Sequence, residues 1–118
     1  MADYKYINLA YLNEVSSGDT ETKKQLIELF FEQVNTIKGS FEHSLVIDDK
    51  DEIRKTAHLA KSSTKIMGIN EISAKMQELE YSIKDHPETT DCKPYIDFFF
   101  NNIDNALAEL RQEICLLG

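Results

Sequence analysis

The spacing of apolar residues constrains this chain more than any other feature, because it is the spacing of amphipathic helices. Apolar side chains recur every three or four residues along most of the chain, and alternation of the β type never extends beyond a few residues. Only four glycines and two prolines occur, and they fall where helices are expected to end. The sequence therefore predicts an all-α protein.

The limits of the predicted helices follow from capping and helix-breaking residues. A short helix over about Ile7–Val15 is followed by the turn Ser16-Ser17-Gly18. Four longer helices are predicted: the second is capped by Asp19 or Thr20, the third opens at Asp48 and Asp49, the fourth is capped by Asn70, and the last begins near Pro94. Asp49 and Glu52 have the spacing of a capping box, and Gly68 and His86-Pro87 end the third and fourth helices. Gly39 either ends the second helix or is tolerated inside it.

Each of the four longer helices has one apolar stripe, which is expected to form the core. The predicted core positions are Leu26, Ile27, Phe30, Val34, Ile37 and Phe41, then Ile53, Ala57, Ala60, Thr64 and Met67, then Ile72, Met76, Leu79 and Ile83, and finally Tyr95, Phe98, Phe99, Ile103, Leu107, Leu110 and Ile114. Long helices with short connections are antiparallel to their neighbours. We therefore expect a single domain, residues 1–118, with the fold of an antiparallel up-down four-helix bundle and a short extra N-terminal helix.

Charge and composition exclude several functional classes. The chain of 118 residues carries 21 acidic and 13 basic residues, and its net charge of −8 argues against a nucleic-acid-binding protein. No apolar stretch approaches the roughly 20 residues of a membrane span, and no secretory signal is recognisable at the start. Cys92 and Cys115 are expected to be reduced thiols. We expect a soluble cytoplasmic protein, and the initial methionine favours a freestanding chain over an excised domain.

The sequence contains no recognisable metal site or nucleotide site. His43, His58 and His86 are far apart, and none has a partner at the spacing of zinc ligands. A glycine-rich phosphate loop is absent from the sequence, so the chain is not expected to act as a kinase by itself.

The segment 53–70 departs from the acidic character of the chain, because it contains four basic residues and no Asp or Glu. On a helix with about 100° per residue, His58 lies roughly 140° from the centre of the apolar stripe. Ser62 lies one turn after His58, on the same side. The basic side chains within about 60° of the histidine on this wheel are Arg54, Lys55, Lys61 and Lys65. The pattern predicts an exposed histidine surrounded by positive charge.

This combination suggests a histidine that meets a phosphorylated molecule. Histidine side chains are mostly neutral and nucleophilic near pH 7. Neighbouring cations would favour a dianionic phosphoryl group once it was attached. The alternative interpretation is a solvated charged face without a specific function.

The segment Thr56-Ala57-His58-Leu59-Ala60-Lys61-Ser62-Ser63, followed by Gly68, resembles the signature of histidine-containing phosphotransfer (HPt) domains. Those domains show Ala-His, a lysine three residues after the histidine, a small pair and then a glycine. The similarity extends from about Ile7 to Ile114 and includes Leu79-Glu80 in the next helix. Ser62 replaces the glycine most often found there, and Ala60 replaces a common leucine. Because serine is also small, a partner should still be able to approach.

The resemblance implies a role in a two-component multistep phosphorelay. His58 would receive a phosphoryl group from an aspartyl phosphate on a response-regulator receiver domain and pass it to a second receiver. Lys61 would stabilise the charge of the phosphoryl group, and Ser62 would leave room for it. The partners would be receiver domains, a hybrid sensor histidine kinase, or both. Mg²⁺ would be held by the partner's acidic pocket, and this chain would be a phosphocarrier with no cofactor of its own and no enzyme activity.

The surface around His58 would then be the docking surface. Arg54, Lys55 and Lys65 would steer association with an acidic receiver site, although they could equally be charges that only promote solubility. Leu59 and Ile66 border the basic residues and would provide the apolar part of the contact. A complete bundle with a charged exposed face is expected to be a monomer.

The main competing hypothesis is a helical-bundle adaptor that binds a signalling partner without being phosphorylated. It predicts that replacing His58 changes nothing measurable. The identity of the donor and acceptor and the direction of phosphoryl flow stay open at this level.

Overall fold

The computed structural model describes residues 3–118, and this part of the chain forms five helices. They are α1 (Ala10–Val15), α2 (Thr20–Ile47), α3 (Lys50–Ile66), α4 (Asn70–Asp85) and α5 (Lys93–Leu117). From α2 onward each helix packs against the next, and α5 packs against α2 to close the bundle. The predicted all-α helical bundle with a short leading helix is confirmed. Within residues 3–118 there is no helix with the length and apolar character needed to cross a membrane.

The core is built from the predicted apolar stripes. All positions predicted for α3 and α4 are buried, and so is most of the stripe of α2. Phe41 of α2 and Phe99 of α5 pack edge to face, with ring centroids 5.7 Å apart. Ile96 and Ala106 of α5 are buried although the predicted stripe omitted them. Conversely, four predicted core residues lie at the edges of their stripes and are only partly buried, namely Leu26, Tyr95, Phe98 and Ile114.

Asp19 and Asp49 cap α2 and α3, as the sequence predicts. The Asp19 carboxylate accepts the backbone N–H of Thr22 at 2.9 Å, and the Asp49 carboxylate accepts that of Glu52 at 3.1 Å. Each bond satisfies an N–H group that has no partner in the first turn of a helix. Helix α2 continues through Gly39, so this glycine is tolerated inside the helix.

The first helix begins later than predicted, at Ala10 and not near Ile7. The backbone N–H groups of Lys5, Tyr6 and Ile7 donate to the carboxylate of Glu109 on α5, at 2.8, 2.8 and 3.1 Å. A charged acceptor makes strong hydrogen bonds with backbone amides. These residues therefore form a segment that is attached to α5, and the predicted start of the helix is wrong.

The connection between α3 and α4 also differs in one detail. Asn70 is the first residue of α4 and Ile69 occupies the N-cap position without a side-chain hydrogen bond, so the predicted Asn70 cap is wrong. Gly68 has a φ of 67° after the end of α3 at Ile66, as expected for a helix-ending glycine. A Cβ at this position would overlap the backbone oxygen of Asn8 and lie 2.6 Å from its nitrogen. Glycine is therefore also required because the N-terminal segment passes so close.

A buried polar cluster joins the N-terminal segment to the bundle. Lys23 of α2 and Glu113 of α5 form an ion pair at 2.8 Å, and the Tyr4 hydroxyl donates to Glu113 at 2.7 Å. Burial, together with the hydrogen bond to Glu113, raises the pKa of Tyr4 to about 12. Burial also raises the pKa of Glu113, but the hydrogen bonds from Lys23 and Tyr4 outweigh it and hold the pKa below its usual value.

Candidate functional site

His58 lies on the solvent side of α3, opposite the buried stripe, as predicted. Its side chain is 58% exposed, whereas its neighbours Ala57 and Ala60 are fully buried. His43 lies on the exposed side of α2, and His86 follows the last residue of α4. Within residues 3–118, His, Cys, Asp and Glu side chains form no group of three that could hold a metal ion. The three histidines are therefore separate groups on the surface of the bundle.

Glu80 of α4 connects the two residues that the signature predicts to act together. Its Oε2 lies 2.8 Å from Nδ1 of His58, and its Oε1 accepts a hydrogen bond from Nζ of Lys61 at 3.0 Å. The Glu80 side chain is only 12% exposed. One carboxylate therefore orients both the imidazole and the ammonium group, and its partial burial strengthens both contacts.

The charge state of Glu80 determines which nitrogen of His58 is free. Burial raises the pKa of the Glu80 carboxyl, but the hydrogen bonds from Lys61 and His58 outweigh it and the pKa lies below its usual value. Glu80 is therefore ionised at neutral pH and can only accept hydrogen bonds. In the neutral imidazole the proton then lies on Nδ1, and Nε2 keeps its lone pair.

The basic surface around His58 is less positive than the sequence suggested. Arg54 and Lys55 both pair with Asp51 in the first turn of α3, at 2.9 and 3.3 Å. These contacts hold the pKa of Asp51 below its usual value. Since Glu80 also pairs with Lys61, two acidic residues from outside the segment 53–70 offset part of its charge. The predicted cations are present around His58, and Asp51 and Glu80 pair with three of them.

The apolar and small residues predicted for docking are exposed on α3, the helix that carries His58. Leu59 is 40% exposed and Ile66 is 38% exposed, and Ser62 is also exposed. Ser62, Lys65 and Ile66 line a groove between α3 and α1, and Tyr11 of α1, half exposed, forms its other wall. The structure therefore places polar, apolar and cationic groups on one continuous face.

Three residues of this site were missed by the sequence analysis. Glu80 was noted only as part of the resemblance, and Tyr81, whose ring centroid lies 5.9 Å from Nζ of Lys61, was not considered. A signal for Glu80 was present, because it lies about as far after the turn at Gly68 as His58 lies before it. Residues at equal distances from the turn of an antiparallel helix pair lie at the same level. Asp51 could also have been identified, since it is one turn from Arg54 and Lys55.

A family model described as Hpt domain matches residues 25–113. The matched region contains all of α3 and α4 and most of α2 and α5, and hence His58, Lys61 and Glu80. Comparison with curated proteins and with solved structures finds no significant match.

Proposed function

The chain belongs to the Hpt-domain family, which carries phosphoryl groups in two-component systems, and we propose that His58 is its phosphoacceptor. In this proposal Nε2 of His58 takes the group from the aspartyl phosphate of one receiver domain and gives it to the aspartate of another. The observation that carries the proposal is the contact between Glu80 and Nδ1 of His58, which leaves Nε2 as the nucleophile.

The bonds and the proton of the proposed transfer can all be assigned to groups at this site and on the receiver. The lone pair of Nε2 attacks phosphorus, an N–P bond forms, and the P–O bond to the receiver aspartate breaks with that aspartate leaving as a carboxylate. The proton stays on Nδ1, where Glu80 stabilises the positive charge that the ring gains. The reverse step, with a second aspartate as nucleophile, discharges the histidine. Nothing in these steps requires a nucleotide, so the chain acts as a phosphocarrier and not as a kinase.

The protein also stabilises the negative charge of the phosphoryl group during the transfer. Phosphoryl transfer spreads negative charge over the phosphoryl oxygens, and positioned cations stabilise that charge. Lys61 lies one turn after His58, and Glu80 holds both side chains. We assign Lys61 the role of stabilising the phosphoryl charge, with Mg²⁺ supplied by the acidic pocket of the receiver.

The face around His58 supports docking of a receiver domain. Leu59 and Ile66 provide apolar contact area, and Ser62 leaves space beside the histidine. The groove against Tyr11 extends this face toward α1. Because Asp51 neutralises part of the charge of Arg54 and Lys55, we assign more of the electrostatic steering to Lys65 than to these two residues.

Labelling with phosphoramidate tests the phosphoacceptor without a known partner. The chain has three histidines, so His58→Gln leaves only His43 and His86, and the double variant His43→Gln/His86→Gln leaves only His58. We expect an acid-labile adduct of one phosphoryl group on the wild type and on the double variant, and none on His58→Gln. NMR of the ¹⁵N-labelled adduct should place the phosphorus on Nε2.

The competing adaptor hypothesis predicts a different outcome. Without an adduct on the folded wild type, either from phosphoramidate or from a phosphorylated receiver, the carrier function is refuted and an adaptor remains. An adduct that persists on His58→Gln would assign the chemistry to His43 or His86. Attachment at Nδ1 would contradict the role given to Glu80.

A further inference from the structure

Lys61 is the least exposed of the paired cations around His58. Its side chain is 20% exposed, compared with 61% for Lys55 on the same helix. Glu80 holds the ammonium group from one side at 3.0 Å, and the ring of Tyr81 lies beside it with the centroid 5.9 Å away. This distance is within the range of a cation–π interaction. Tyr81 itself is 49% exposed, so the core does not require an aromatic ring at this position.

We propose that Tyr81 is a positioning residue that holds the Lys61 ammonium group for phosphoryl transfer at His58. The inference rests on the proposed function and adds a residue to it. A lysine side chain is flexible and loses much rotamer entropy when it is held in one place. The contact with the ring restricts Lys61 before the phosphoryl group arrives, which lowers the cost of positioning it.

An aromatic ring suits this role better than a second carboxylate would. Glu80 already contacts both His58 and Lys61, and a further anion beside Lys61 would repel the incoming phosphoryl group. The face of the Tyr81 ring attracts the ammonium group through its quadrupole and brings no net charge. Tyr81 thus holds Lys61 without opposing the reaction.

The test measures the rate constant for labelling of His58 by phosphoramidate. The variants are Tyr81→Phe, which keeps the ring, and Tyr81→Leu, which removes it, each in the wild-type and in the Lys61→Ala background. Tyr95→Leu is the matched control, because it removes a similar contact, with Nζ of Lys75 5.8 Å from the ring centroid, between α4 and α5. Circular dichroism and urea unfolding establish that each variant is folded.

We expect Tyr81→Leu to lower the rate constant about two- to fivefold, as for loss of an exposed cation–π contact. Tyr81→Phe and Tyr95→Leu should stay close to wild type, and Tyr81→Leu should have no further effect once Lys61 is alanine. An unchanged rate in Tyr81→Leu, or an equal loss with and without Lys61, would overturn the positioning role alone. Failure to label the wild type would refute the proposed function itself, so the two failures are distinct.

Discussion

Replacing Gly68 by alanine should destabilise the protein by more than the strain of a left-handed backbone alone. The residue has a φ of 67°, and a left-handed backbone costs a non-glycine residue about 1–2 kcal/mol. At Gly68 the added Cβ would also overlap the backbone of Asn8, and no side-chain rotation relieves a contact with backbone. The N-terminal segment must therefore move away from the turn between α3 and α4.

The cost of that movement follows from what the segment buries. Ile7 is 5% exposed and packs in the core, and removing a side chain of this size from the core costs about 1.5–3 kcal/mol. Together with the backbone strain, Gly68→Ala should lower the free energy of unfolding by about 2.5–5 kcal/mol. The denaturant m-value should also fall, because the native state of the variant buries less surface.

Two other glycines provide matched controls in the same urea titration, followed by circular dichroism. Gly18 has a φ of 75°, and a Cβ added there would meet no atom within 4 Å, so Gly18→Ala should cost only the strain of about 1–2 kcal/mol. Gly39 lies inside α2 with equally open space, so Gly39→Ala should stabilise by about 0.5–1 kcal/mol. Equal costs for Gly68→Ala and Gly18→Ala would refute the close-approach argument.

Three further predictions concern groups that are buried or partly buried. Glu113→Ala should lower the free energy of unfolding in urea by about 3 kcal/mol, because it leaves Lys23 buried without its partner. Adding Lys23→Met should restore more than half of the lost stability. If the double variant recovers no stability, this account is contradicted. The folded-state pKa of Tyr4 lies above the unfolded value of 10.0, so its contribution to stability is present below pH 10 and lost as pH rises through about 12. Tyr4→Phe should remove this part of the decrease in the urea midpoint at alkaline pH. If the urea midpoint of the variant depends on pH as in the wild type, the raised pKa of Tyr4 is contradicted. A thiol reagent should modify exposed Cys115 well before buried Cys92, whose pKa is raised by burial, and equal rates would argue against that burial.

Most of the fold could be predicted because helix periodicity and caps are local properties of the chain. Asp19 and Asp49 cap their helices through hydrogen bonds to residues three positions away, and such contacts can be read from the sequence. The start of α1 could not be read in this way. The segment before it is held by Glu109, about a hundred residues further along, which accepts the backbone N–H groups of Lys5, Tyr6 and Ile7.

The same distinction between local and tertiary contacts applies to the candidate site. The sequence alone determined that His58 faces solvent and that Lys61 and Ser62 lie one turn away, because these relations depend only on the geometry of one helix. Only the tertiary structure decided that Glu80 joins His58 to Lys61 and that Tyr81 lies beside the same ammonium group. Those contacts cross between α3 and α4, and the level at which two helices meet is set by the turn and by core packing over the whole bundle.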